Sequence, residues 1–170
     1  MAIAFIGLGS NLGSGPCNLR DAWHRLGEQP EIQLRTLSSP YRTAPVEMES
    51  EHWFTNAVGE VETGLAAELL LAVLLKIEQD MGRERTASRD RLIDLDLLFY
   101  GQLVQKSTRC QVPHPEISRR LFVLVPLAEI APGFRHPETG KTAAEMIAAL
   151  ASSNQELAKT QWQGECYEST

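Results

Sequence analysis

The stretch RLIDLDLLFYG, residues 91–101, places Asp94 and Asp96 inside a dense apolar run. A run of this kind reads as a buried strand. Side chains alternate faces along a strand, so Ile93, Leu95 and Leu97 share one face and the two aspartates share the other, roughly 6–7 Å apart. Two carboxylates held that close repel, and each pushes the other toward protonation. The compensating partner is either a buried basic residue or a bound cation. A bare Asp-x-Asp is as often a salt-bridged pair at a sheet edge. A hard cation such as Mg²⁺, however, takes one or two carboxylates and completes its shell with water and substrate phosphates.

Phosphate-binding cations stand nearby. Arg83, Arg85, Arg89 and Arg91 fall within residues 82–91, directly before the aspartates, and Arg109, His114, Arg119 and Arg120 follow them. Arginine offers phosphate oxygens a planar fork of donors. A charged loop is usually just solvated, but Arg91 lies three residues before Asp94 at the entry to the strand. In a chain of net charge −6, this concentration suggests a polyphosphate cradle. Carboxylates, metal and arginines together suit phosphoryl transfer, in which catalysis is mostly positioning and charge neutralisation.

A third set comprises Phe54, Asn56 and Phe122. Aromatic residues usually pack the core, yet Asn56 shares a strand face with Phe54. An amide beside aromatic rings can read the edge of a flat heterocycle while the rings stack on its faces. Residues Thr43, Ala44 and Val46, in a segment without periodicity, could offer backbone groups to the same ring. The glycine-rich GLGSNLG at 7–13 resembles a nucleotide loop only weakly. Leu12 stands where Gly-x-Gly-x-x-Gly needs its third glycine, and no Gly-Lys-Ser/Thr follows. Its glycines are assigned to close packing at the end of the first strand.

The elements that must carry these residues follow from periodicity. Residues 2–8 read as a buried strand, 17–29 as a helix ending near Gly27, and 31–41 as a strand interrupted by Pro40. Residues 42–53 read as a loop, 54–63 as an alternating strand, and 65–81 as a helix stopped by Gly82. After the Asp-bearing strand come a short strand, a Pro-His-Pro turn, a short amphipathic helix and a last helix over 142–151. The polar tail after about residue 152 is expected to fray. The order is βαββαβ, which predicts an α+β, ferredoxin-like antiparallel sheet with helices on one face plus C-terminal additions.

With 170 residues, 43% of them hydrophobic, the chain suits a single domain over 1–170. Its negative charge argues against nucleic-acid or membrane-surface partners, and no apolar run is long enough to span a bilayer. Three cysteines, Cys17, Cys110 and Cys166, are widely spaced and odd in number. They read as filler or surface thiols of a cytoplasmic protein. The N-terminus reads as a first strand rather than a signal peptide.

Taken in order, GLGSNLG at 7–13, SSPYRTAP at 38–45, FTNAV at 54–58, GRER at 82–85, RLIDLDLLFYG at 91–101 and VPHPEISRRLFVLVPLAEIAP at 112–132 resemble the hydroxymethyldihydropterin pyrophosphokinase family. The resemblance implies a ferredoxin-like enzyme of folate biosynthesis, a monomer, that transfers pyrophosphate from ATP to 6-hydroxymethyl-7,8-dihydropterin and leaves AMP. It implies two Mg²⁺ ions held by Asp94 and Asp96, with Arg83 and Arg91 on the transferring phosphates. Arg85, Leu97, Arg109, His114 and Arg120 match ATP-contacting positions. Phe54, Asn56 and Phe122 match the pterin-holding residues, with the 43–46 backbone around the ring. The chain departs from the family before Arg91, where Ser88-Arg89-Asp90 replaces the usual Gly-Pro and the Arg85–Arg91 loop is shortened. That departure supports a competing reading, a non-catalytic module that binds nucleotide or pterin and closes poorly.

Overall fold

The structure, a computed structural model, describes residues 1–44, 53–82, 90–162, Gly164 and Cys166. Strand β1 (Ala2–Ser10) leads into helix α1 (Gly15–Gly27) and strands β2 (Ile32–Leu37), β3 (Tyr41–Thr43) and β4 (Phe54–Thr63). Helix α2 (Ala67–Asp80), the Asp-bearing β5 (Asp94–Tyr100) and a small hairpin of β6 (Gln105–Lys106) and β7 (Gln111–Val112) follow. A 3₁₀ turn (Ile117–Arg119) precedes helices α3 (Leu121–Ile130) and α4 (Ala143–Ala148), and strand β8 (Leu157–Lys159) comes last. The main sheet is antiparallel throughout, in the order β5-β1-β4-β3-β8, with β2 also paired to β4.

Alternation along the strands sends apolar side chains to both faces. Ala4, Ile6 and Leu8 of β1, with Ile93, Leu95 and Leu97, pack against Leu19, Ala22 and Leu26 of α1 and against Leu70, Leu74 and Ile77 of α2. Both helices show the three- and four-residue apolar spacing that presents one stripe to a sheet. Phe5, Val58, Leu98 and Phe99 face the other way and meet Val123, Leu124 and Leu127 of α3 and Ala143 and Met146 of α4. Burying each of these large side chains stabilises the fold by about 1.5–3 kcal/mol. The sheet is therefore covered on both faces, the second by the C-terminal additions. Helix α3 is apolar on nearly every side rather than amphipathic, since it lies between the sheet and α4.

Four expectations are corrected. Arg42 and Thr43 belong to a strand, because β3 takes up the edge of β4 beyond the break at Pro40. The last helix ends at Ala148, six residues long, and opens with a capping box between Thr142 and Glu145. Among its described residues the tail is anchored at several points: β8 pairs with β3, Trp162 Nε1 donates to the Ser38 carbonyl (3.1 Å), and Cys166 is disulfide-bonded to Cys17 of α1. Cys17 and Cys166 are thus a pair rather than free thiols, while Cys110 is free and buried.

Candidate functional site

The β1–β5 register sets Gly9 opposite Asp94 and Gly7 opposite Asp96, and the β1–β4 register sets Gly9 opposite Asn56 and Gly7 opposite Val58. The row Asp94–Gly9–Asn56 therefore runs across three adjacent strands. Strands lie about 4.8 Å apart, so the acid and the amide stand roughly 10 Å apart on one rigid floor. The glycines between them leave the floor bare. A Cβ on Gly9 would come within 2.8 Å of Asn56 Oδ1. Over this floor lies a cavity of about 250 Å³, walled by Thr43, Ala44 and Phe54 on one side, by Arg91, Asp94 and Asp96 on another, and by Glu116, Arg119, Arg120, Phe122 and Val123 at the start of α3.

At the acidic end, Arg91 Nη1 lies 3.0 Å from Asp94 Oδ2. The backbone of Arg91 is itself clamped. Its N–H donates to Asn11 Oδ1 (2.5 Å), its carbonyl accepts from the Asn11 N–H (3.0 Å), and Asn11 Nδ2 donates to Asp90 Oδ1 (2.7 Å). Glu78, buried on α2, accepts the Leu95 N–H at 2.7 Å and so ties the strand between its two aspartates to the helix below. Burial, and then the charge of Asp94, push the Asp96 carboxyl up to about 7, with Glu78 adding to the rise and Arg120 and Arg91 opposing it. At Asp96, burial and the nearby carboxylates outweigh the two arginines. A hard divalent cation fits this donor set: two carboxylates on one face, with room for water and phosphate oxygens. No cluster of three or more acid, histidine or cysteine ligands occurs among the described residues. His114 Nδ1 accepts the Glu116 N–H (3.2 Å), which leaves Nε2 facing Asp96 Oδ1 at 4.0 Å. Burial, and then Arg120, hold its pKa below the usual value, although Glu116 and Asp94 oppose the shift.

At the other end, Asn56 Nδ2 donates to Thr43 Oγ1 (2.8 Å), which turns Oδ1 toward Gly9. Phe54 and Phe122 flank the same space, and the Arg120 guanidinium sits 5.5 Å from the Phe122 ring centroid. An amide and two aromatic rings lining one space suit a flat, polar heterocycle.

Among the residues singled out from the sequence, Arg91, Asp94, Asp96, Arg120, Thr43, Ala44, Phe54, Asn56 and Phe122 line this one cavity, and His114 adjoins it. The Leu97 side chain is buried in the core on the opposite face, and Arg109 is exposed on the β6–β7 turn; neither lines the cavity. Arg83, Arg85, Arg89 and Val46 lie outside the described residues. Sequence reasoning missed the roles of Asn11, Glu78, Gly7 and Gly9. A readable signal existed for Glu78, a carboxylate four residues after Leu74 on the apolar stripe of α2. The alternate glycines of GLG, both on one strand face, were another.

An acid pair with arginine neighbours at one end and an amide with aromatic rings at the other is the site plan of an α+β phosphotransferase acting on a flat heterocycle. Residues 5–132 match the family model described as 7,8-dihydro-6-hydroxymethylpterin-pyrophosphokinase, and the chain belongs to this family. It is 39% identical over 154 residues to the 2-amino-4-hydroxy-6-hydroxymethyldihydropteridine pyrophosphokinase of Methylorubrum extorquens, covering 90% of this chain and 96% of that protein. It is also 39% identical over 145 residues to the protein of the same name from Synechocystis, covering 85% and 74%. Among solved structures, the wild-type Plasmodium falciparum HPPK-DHPS with pteroate superposes with a TM-score of 0.70 at 15% identity, over 89% of this chain and 42% of that one. That last likeness concerns the fold alone, and this chain spans under half the length of that two-part protein.

Proposed function

We propose that the protein transfers pyrophosphate from ATP to 6-hydroxymethyl-7,8-dihydropterin, yielding AMP and the pterin diphosphate, a step of folate biosynthesis. The observation that carries this reading is the row Asp94–Gly9–Asn56, which sets a polyphosphate end and a heterocycle end on one floor roughly 10 Å apart, two strand spacings. The pterin lies between Phe54 and Phe122 with its polar edge on Asn56, and its hydroxymethyl group points along the bare glycine floor toward the acids. The hydroxyl oxygen gives up its proton to water and bonds to the β-phosphorus of ATP, the bond from that phosphorus to the α–β bridging oxygen breaks, and AMP leaves with that oxygen. Asp94 and Asp96 would hold magnesium, two ions in this reading, which when bound neutralises polyphosphate charge. Arg91, kept in place by Asn11, orients the transferring phosphates, and Arg120 and His114 close on the same charge from the α3 side. Arg83, Arg85, Arg109 and Leu97 are assigned to the ATP side, and Val46 to the pterin side, by family likeness.

In this reading the sheet is the ferredoxin-like plan, with β2 and β3 acting as one interrupted strand beside β4. The chain works as one unit over residues 1–170, a cytoplasmic monomer with small-molecule substrates and no nucleic-acid partner. The net charge of −6 supports the last point, and no described helix is long and apolar enough to cross a membrane. The test is a product assay with ATP, Mg²⁺ and the pterin. Pterin-dependent AMP is expected. ADP would mean transfer of a single phosphate. Binding of both ligands without turnover would favour the non-catalytic module.

A further inference from the structure

The segment after residue 132 lies outside the match to the family model, yet three of its consecutive residues touch both walls of the cavity. Gln155 Oε1 accepts the Leu121 N–H (3.0 Å), and its Nε2 donates to the Arg119 carbonyl (2.9 Å). The next residue, Glu156, accepts the Ala44 N–H on its carbonyl (3.3 Å), and Leu157 pairs with Thr43. Thr43 and Ala44 form one wall, and Arg119, Arg120 and Phe122 form the facing one.

The grip on the α3 side falls at a helix start that has no capping side chain of its own. Arg120 is the N-cap residue of α3, with extended backbone, and its side chain makes no capping bond. The first N–H groups of a helix have no intrahelical partner and are normally taken by a Ser, Thr, Asp or Asn at this position. An arginine cannot accept a hydrogen bond. Gln155 takes one of these groups, the Leu121 N–H, from 34 residues away, and its amide straddles Arg120 by holding the peptide groups on either side. The side chain that lies against the Phe122 ring, and whose charge acts on Asp96, is thereby fixed at its root.

We infer that Gln155 is a positioning residue for Arg120 and Phe122, and that residues 155–157 form a crosspiece setting the width of the heterocycle slot. This rests on the pyrophosphokinase reading for the identity of the ligand. The far end of α3 is tied to the same strand. Lys159 Nζ lies 3.2 Å from Glu129 Oε1, and Glu129 also accepts the Tyr41 hydroxyl (3.0 Å).

The test compares the full-length protein with Gln155→Ala and Gln155→Glu. KM for the pterin, KM for MgATP and kcat are measured, together with calorimetric Kd for the pterin and a thermal melt. Gln155→Ala is expected to raise pterin KM and Kd about five- to tenfold, the loss of one to two neutral hydrogen bonds. Gln155→Glu keeps an acceptor for the Leu121 N–H and is expected to lie between wild type and Gln155→Ala. A merely structural residue would lower the melting temperature and the yield of active protein while both KM values stayed at wild type; that result overturns the inference. Should Gln155→Ala fail to fold, a wild-type pterin KM and Kd in Gln155→Glu overturns it equally. Wild-type protein that binds the pterin without forming AMP would sink the pyrophosphokinase reading. The change in pterin Kd between wild type and variants would still decide the role of Gln155, an unchanged Kd counting against it.

Discussion

Substituting alanine for Gly9 tests whether the bare floor is what aligns the heterocycle. The added Cβ would stand 2.8 Å from Asn56 Oδ1, and ordinary contact begins at 3.4 Å. The amide must therefore retreat by about 0.6 Å, a distance fixed by van der Waals radii. It has nowhere to slide, because β4 lies between β1 and β3 and the Asn56 amide already bonds Thr43 Oγ1 at 2.8 Å on the far side. Rotation is the remaining escape. Rotation gives up the Thr43 bond, worth about 1 kcal/mol, and drives the side chain off its rotamer at about 0.5–1.5 kcal/mol. If most of that falls on the bound state, pterin KM and Kd rise roughly tenfold, since 1.4 kcal/mol is a factor of ten. The assay is AMP formation at saturating MgATP with the pterin varied, repeated in an Asn56→Ala background. Gly9→Ala should add little there, because its effect passes through the Asn56 amide. Gly7→Ala, whose Cβ would meet only the Leu98 side chain at 3.4 Å, should leave pterin KM within about twofold. A wild-type pterin KM in Gly9→Ala, or a full tenfold effect persisting without the Asn56 amide, would refute the reasoning.

Other perturbations separate the two ends of the site. Asp94→Ala and Asp96→Ala should each lower kcat about a hundredfold or more with the melting temperature retained, and chelation of Mg²⁺ should stop AMP formation in the wild type; activity that survived either change would remove the metal role. Asn11→Ala releases Asp90 and the Arg91 N–H, so kcat should fall about ten- to a hundredfold through misplaced Arg91, while an effect confined to pterin KM would contradict that assignment. Glu129 tests the tie between α3 and the β3–β8 pair by pH. Burial alone would raise its pKa, but the Ser39 N–H, Lys159 and the Tyr41 hydroxyl outweigh burial and hold it below the usual value of 4.5. A lowered carboxylate pKa stabilises the fold fully above the unfolded value and progressively less as pH falls through the folded one. Glu129→Gln should therefore cost about 1–2 kcal/mol at pH 7, with the gap to wild type closing below about pH 4. A gap independent of pH would show that the charge contributes nothing.

The sequence was most legible where period and chemistry agreed. Alternation put Asp94 and Asp96 on one face of β5, as the packing of Ile93, Leu95 and Leu97 on the other bears out, and β4 begins and ends where its pattern does. The tail was least legible. Its anchors, which include the Gln155 amide, the Trp162 ring nitrogen, a three-residue strand and a half-cystine, are long-range contacts of polar residues, and polar composition without periodicity reads as loop. Pairing of Cys17 with Cys166 across 149 residues likewise leaves no mark in local spacing. Asn11 was visible as part of a glycine-rich loop. Its partner was not, because the clamp joins two segments about 80 residues apart.

The Asp-bearing strand must satisfy two demands that conflict. Its carboxylates have to face the cavity, and its C-terminal half has to bury Leu98 and Phe99 beneath α3 and α4. Strict alternation could not send both of those neighbours to one face, since consecutive side chains point opposite ways. The register shift resolves the conflict. Ile6 pairs with Leu97 but Phe5 pairs with Phe99, so Leu98 is the extra residue of a bulge. Upstream of it, Asp96 stays opposite Gly7 and Asp94 opposite Gly9. Downstream, Phe99 turns to the face that carries Phe5 and Phe134, where the rings lie 4.8–6.2 Å apart. A slip of one residue in β5 would instead bury both carboxylates among Leu19, Leu70 and Leu74 and raise Leu95 into the cavity, and burying two unpaired charges costs far more than the fold has to spare. The aromatic packing beyond the bulge therefore locks the register that keeps the acids over the glycine floor, and the spacing from acid to amide is as fixed as the core that enforces it.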